Sequence, residues 1–76
     1  MPYDLFVTTA PAPPEGELEA DSTVWTWGGS WPTLWLAQQA CDRLAQDPVL
    51  YRRWRLFRSR RRTSVRADLH LEGTFQ

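Results

Sequence analysis

The sequence predicts a small α+β domain: a three- or four-stranded, mostly antiparallel sheet with one or two helices packed on one face. Three observations lead there. Runs rich in β-branched and aromatic residues lie near both ends of the chain. A stretch between them, Trp31 to Gln46, carries apolar residues at helical spacing. The order of segments is then strand, linker, strand, helix, helix or strand, strand. That order fills one layer with strands and the other with helix.

Tyr3-Asp-Leu-Phe-Val-Thr-Thr9 reads as the first strand. Pro11, Pro13 and Pro14 end it, because proline donates nothing to a ladder and favours an extended connector. Residues 10–21 form a Pro/acid-rich loop within a single domain spanning 1–76, and Glu15 to Asp21 within it reads as exposed loop or short edge strand. Ser22 to Trp27 reads as a second strand, with Trp25 and Trp27 on one face and in the core. Gly28-Gly29 breaks that strand. Ser30 then offers a helix cap and Pro32 falls in the first turn. Leu34, Ala37, Cys41 and Leu44 make the buried stripe of the helix, widened by Ala40 and Ala45. Asp47-Pro48 stops it.

The next segment supports two readings. Leu50, Trp54 and Phe57 have helical spacing, which favours a second helix of about ten residues. Trp54-Arg-Leu-Phe-Arg58 reads equally as strand. Ser59 to Thr63 is a polar turn. Ser64 to Phe75 alternates most clearly, with Val65, Ala67, Leu69, Leu71 and Phe75 facing the core and Arg66, Asp68, His70, Glu72 and Thr74 facing solvent.

A chain of 76 residues has one cysteine, so no internal disulfide can staple it. Small domains bury a smaller share of their surface, and stability must come from an aromatic core or from assembly. The chain lacks a basic leader with an apolar run and any membrane-length apolar stretch. With its unpaired Cys41, it is expected to be cytoplasmic.

Net charge is zero, but the halves differ. Asp4, Glu15, Glu17, Glu19, Asp21 and Asp42 give residues 1–42 a charge of −6, while residues 43–76 hold all nine arginines against Asp47, Asp68 and Glu72, a charge of +6. Segregation of this kind marks an interaction surface. The densest stretch supplies the candidate site: Arg52, Arg53, Arg55, Arg58, Arg60, Arg61, Arg62 and Arg66 contacting phosphate, with Trp54 stacking on a base. The plain alternative is that the acidic half of the chain neutralises them. Arginine without lysine also reflects codon usage as readily as function.

Glu15, Glu17, Glu19 and Asp21 form the opposite feature. Extended, they present charge every ~6.6 Å and could imitate a nucleic-acid backbone; a solvated loop is the ordinary reading. Trp31 and Trp35, one helical turn apart, could anchor a protein partner together with those acids. Gly28-Gly29-Ser30 lacks the spacing and lysine of a phosphate loop. Asp68, His70 and Glu72 share a strand face, too far apart to chelate a metal as a set. There is no second histidine and no Ser-His-acid arrangement. The sequence therefore predicts no enzyme, no cofactor and no metal.

The function expected is non-catalytic binding through the arginine-rich surface, with nucleic acid the favoured ligand. The runner-up is a small inhibitor or adaptor of the sort phages and mobile elements encode, docking on a protein. The third is a structural subunit, a homo-oligomer among them. No membrane partner is expected.

Overall fold

The computed structural model describes residues 2–46, 51–58 and 68–75. Five elements follow in order: β1 (Tyr3–Thr8), β2 (Thr26–Trp31), α1 (Leu34–Gln46), β3 (Arg53–Arg58) and β4 (Asp68–Thr74). The strands form one antiparallel sheet in the order β2-β1-β3-β4. This is the small α+β architecture that the alternating and helical segments predict. The helix crosses one face. Leu5 and Val7 of β1, Leu56 of β3, and Ala37 and Cys41 of α1 are buried between the layers. Tyr3, Trp31, Leu34, Leu44, Tyr51, Trp54, Leu71 and Phe75 pack around them.

β1 forms where the alternation places it. In α1 the stripe is also as expected: Ala37 and Cys41 are buried, with Leu34 and Leu44 partly so. Ala45 is exposed and does not widen it. The start of the helix differs. Thr33, not Ser30, is the cap: its hydroxyl accepts the Leu36 N–H at 3.2 Å and its carbonyl accepts that of Ala37. Ser30 and Trp31 belong to β2, so Trp31 and Trp35 are not neighbours on a helix.

β2 also departs from expectation. It does not end at Gly28-Gly29 but runs through them. Phe6 pairs with Trp27 and Leu5 with Gly29, which leaves Gly28 as an extra residue, a β-bulge. Gly29 has φ +126°, and a Cβ there would lie 2.7 Å from the Trp31 ring. Glycine is therefore what lets Trp31 fold back over its own strand. Trp27 faces away from the helix and is 61% exposed, so it is not a core residue.

Residues 53–58 are strand, not helix. β3 lies in the middle of the sheet, pairing with β1 on one side and β4 on the other. Two flanking ladders satisfy its backbone, and this outweighs the helical spacing of Trp54 and Phe57. Alternation then decides the side chains: Leu56 turns to the helix and Phe57 away from it. Trp54, on the helix side, lies over Gly73, where a Cβ would come within 2.7 Å of the ring.

In β4 one expectation fails. Phe57 pairs with Leu69 and Leu56 with Leu71, so His70 is an extra residue. The bulge puts Leu69 and Leu71 on opposite faces. Leu71 packs on the core, and Leu69, expected inside, is 48% exposed. The bulged His70 ring meets Tyr3 edge-on at 5.4 Å. Val65, Arg66 and Ala67, and the bounds expected for this strand before Asp68, lie outside the described residues.

Cys41 tests the layer contact. Burial, with Asp42 nearby, pushes its thiol up to about 11. Thiolate is the reactive form, so native protein at pH 8 should label slowly with a thiol reagent, and denatured protein at least tenfold faster. Rapid native labelling would show that α1 does not cover this face.

Candidate functional site

The sheet has two unlike faces. Turned away from the helix are Asp4, Phe6 and Thr8 of β1, Trp27 and Ser30 of β2, Arg53, Arg55 and Phe57 of β3, and Leu69, Glu72 and Thr74 of β4. At the Thr8 end this face is crossed by the strap of residues 9–25. The Thr8 hydroxyl donates to the Val24 carbonyl at 2.8 Å and accepts the Ala10 N–H at 3.2 Å. Tight turns, Pro14 to Glu17 and Ala20 to Thr23, reverse the strap.

Glu19 fastens the strap. Its carboxylate accepts both terminal nitrogens of Arg53, at 2.7 and 2.9 Å, a forked pair. Arg55 reaches the same carboxylate at 3.5 Å, and the Thr23 hydroxyl donates to it at 2.9 Å. Arg53 also donates to the Ala10 carbonyl at 3.0 Å, and Arg55 to Glu72 at 3.1 Å. The Trp25 ring lies beneath both guanidinium groups, 5.1 Å from Arg53 and 4.3 Å from Arg55. The bonds from Arg53, helped by Thr23 and Arg55 against partial burial, hold the Glu19 carboxyl down to about 2, from an ordinary 4.5. The same pairing raises the Arg53 pKa further.

Alternation on β3 thus divides the arginine-rich segment. Arg53 and Arg55 point to one face and are neutralised within the fold; Arg53 is only 8% exposed. Trp54 points to the other face, where it is partly buried against the core. Arg52 and Arg58 are exposed, and among the described residues no ion pair involves either. They flank β3 at opposite ends, about 20 Å apart at the rise of a strand. Arg60, Arg61, Arg62 and Arg66 follow Arg58 in sequence and lie outside the described residues. Among the described residues, Arg52 to Arg58 therefore do not form one continuous surface, and Arg58 precedes the further arginines in sequence.

Of the acids, Glu15, Glu17 and Asp21 are exposed on the strap, and Glu19 is taken up by Arg53. Trp31 is half-buried against the core, whereas Trp35 is 65% exposed on the outer side of α1. An open cleft of about 510 Å³ runs beside the strap, lined by Glu17, Leu18, Trp25, Arg55 and Glu72 among others. No three His, Cys, Asp or Glu side chains among the described residues are grouped as metal ligands would be.

The feature that sequence reasoning missed is an apolar row across all four strands. Trp27 pairs with Phe6, Phe6 meets Phe57 edge-on at 5.6 Å, and Phe57 pairs with Leu69. Both ends of the row are created by bulges, Gly28 and His70, that no periodicity reveals.

The fold and site define a small α+β domain with a strapped, half-open sheet. Beyond that class, comparison with known proteins adds nothing: no family model, no curated protein and no solved structure matches the chain. Among the described residues no helix is long and apolar enough to cross a membrane.

Proposed function

We propose that this protein is a non-catalytic binding module of the cytoplasm whose favoured ligand is nucleic acid, held through arginines at the Arg58 end of the sheet. The observation that carries the reading is the division of charge on β3. Glu19 and Glu72 engage Arg53 and Arg55, whereas Arg58 is exposed at the head of a sequence holding Arg60, Arg61, Arg62 and Arg66. Guanidinium groups suit phosphate through forked hydrogen bonds. Contacts of this kind release counterions, so binding should weaken steeply with salt.

The test is a salt titration of oligonucleotide binding, with single- and double-stranded probes of mixed sequence. Neutralising three or more phosphates gives a slope of about −2 or steeper in log K against log salt. An Arg58→Ala, Arg61→Ala, Arg62→Ala variant should melt like the wild type, because exposed charges contribute little to folding. It should also lose about tenfold or more in affinity and show a flatter slope. Unchanged binding in that variant would remove this end of the sheet from the account, and no binding of either probe would end the nucleic-acid reading.

The second reading, an inhibitor or adaptor that docks on a protein, is favoured by Trp35, a large ring left on the outer side of the helix. Tryptophan is enriched among the residues that dominate protein interfaces. Self-association, with the chain serving as a subunit of its own assembly, is the third part of the proposal.

A further inference from the structure

We infer that Glu19 is an internal stand-in for a phosphate: it occupies the Arg53 and Arg55 guanidinium groups until a single-stranded nucleic acid displaces the strap. The inference rests on the nucleic-acid reading above. It adds a second contact surface, on the sheet face away from the helix, and a contact that keeps this surface closed.

The anion site is already built. Glu19 takes both terminal nitrogens of Arg53, at 2.7 and 2.9 Å, and one of Arg55 at 3.5 Å. The Nε of each arginine is held elsewhere, that of Arg53 by the Ala10 carbonyl and that of Arg55 by Glu72. With Glu19 withdrawn, those bonds keep the terminal nitrogens aimed at one place. A guanidinium fork receives phosphate in the same way as carboxylate.

The strap is built to lift. The Thr8 hydroxyl ties down both of its ends, through Ala10 and Val24, and Glu19 ties down its middle. It has no apolar seal over the sheet, because Leu18 and Val24 are both exposed. Open clefts of about 510 and 570 Å³ lie beside it, one toward β3 and β4 and one within its own loop from Thr8 to Val24. A segment with so few buried contacts opens at low free energy.

The rest of this face selects the ligand. Phe57 follows Arg53 and Arg55 on the same side of β3, and Phe6 stands opposite Arg55 on β1. The two rings meet at 5.6 Å, and exposed Trp27 lies beyond Phe6. An acidic peptide would engage the guanidinium groups and leave the rings unused. A single strand uses both, with phosphates on arginine and bases on the rings. Two acids stay on the face after opening, Glu72 on the Arg55 Nε and Asp4 opposite Phe57, so the expected gain in affinity is moderate.

A closed latch lowers apparent affinity in proportion to the closed population, so weakening it should tighten binding. Anisotropy titrations of a fluorescent, mixed-sequence single strand of about twelve nucleotides compare wild type, Glu19→Gln and Glu17→Gln. Glu17 is exposed on the strap and outside the latch, and its substitution removes the same charge. Glu19→Gln should bind at least threefold tighter. Two further phosphates at about 0.7 each should also steepen its slope of log K against log salt by about 1.4. Glu17→Gln should stay within twofold of wild type, and adding Arg55→Ala to Glu19→Gln should abolish the gain. If circular dichroism shows Glu19→Gln misfolded, Thr23→Val, which removes one donor from the carboxylate, should give a smaller gain in the same direction. Equal gains in the two Gln variants would assign the effect to bulk charge and overturn the latch. Wild-type affinity in Glu19→Gln overturns the latch and leaves the nucleic-acid reading standing, whereas no binding by any variant ends that reading itself. A gain for a glutamate-rich peptide instead of the oligonucleotide overturns the choice of ligand.

Discussion

Leu56→Ala is expected to cost about 2–5 kcal/mol, the range for truncating a fully buried leucine. A domain of this length holds roughly 4–11 kcal/mol in all, so the variant should be partly unfolded at 37 °C. Leu56 is wholly enclosed, paired with Leu5 on β1 and Leu71 on β4 beneath the helix. Its neighbour Phe57 points the other way and leans on Phe6 at the surface. Phe57→Ala loses one edge-to-face contact and the burial of a partly covered ring, about 1–2 kcal/mol. The ranking separates strand from helix in this segment. A helix with Leu50, Trp54 and Phe57 inward would make Phe57→Ala severe and Leu56→Ala mild. Urea melts of the two variants give the order, and a reversed order would return residues 53–58 to the helical reading.

What the sequence reveals of this fold is what depends on near neighbours. Alternation in Tyr3 to Thr8 and the Leu34, Ala37, Cys41, Leu44 stripe are local patterns, and both elements form where the patterns lie. β3 was ambiguous because Trp54 and Phe57 satisfy helical spacing while Arg53, Arg55 and Phe57 satisfy strand spacing. Only its two flanking ladders decide between them, and those come from residues as far away as Tyr3 is from Arg58. Gly28-Gly29 looked like a break because glycine weakens strands in general; here it serves an edge strand with a bulge and a ring folded over it. Leu69 was misplaced for a similar reason. One extra residue, His70, puts Leu69 on the face opposite Leu71.

The site was legible to a lesser degree. The charge balance of nine acids against nine arginines anticipates internal pairing, but not which partners meet. Arg53 and Glu19 are 34 residues apart, and only the strap's path over the sheet joins them. The alternation Arg53, Arg55 with Trp54 between them was the available signal. Read as strand, it sorts Arg53 and Arg55 onto one face and Trp54, with Arg58, onto the other.

Acid should loosen the strap before it unfolds the sheet. Glu19 titrates at about 2 in the folded protein against an ordinary 4.5, so below about pH 4.5 the unfolded chain binds this proton more readily than the folded one. A depressed carboxyl stabilises the fold fully above its unfolded value, and that contribution is lost as pH falls through 4.5 toward 2. Stability should therefore drop across that window, and Glu19→Gln should flatten the drop, since it starts without the ionised pair. Arg53→Ala removes the other partner and strips the strap of its bonds to Glu19 and the Ala10 carbonyl. Breaking a buried ion pair from one side costs about 3–5 kcal/mol. Here the carboxylate left behind is partly solvated and keeps Arg55 and Thr23, so the loss at pH 7 is well below that. The two variants should also differ in where the loss appears. With the Glu19 latch gone, the Trp25 ring loses its place against Arg53 and Arg55, so its near-UV signal should fade at temperatures where the far-UV signal of the sheet persists. Thermal melts at pH 7, 4 and 2.5, read in both regions, measure this. A wild type whose melting temperature is the same at pH 7 and pH 2.5, or a Glu19→Gln variant with the wild-type pH dependence, would show that this carboxylate does not hold the strap.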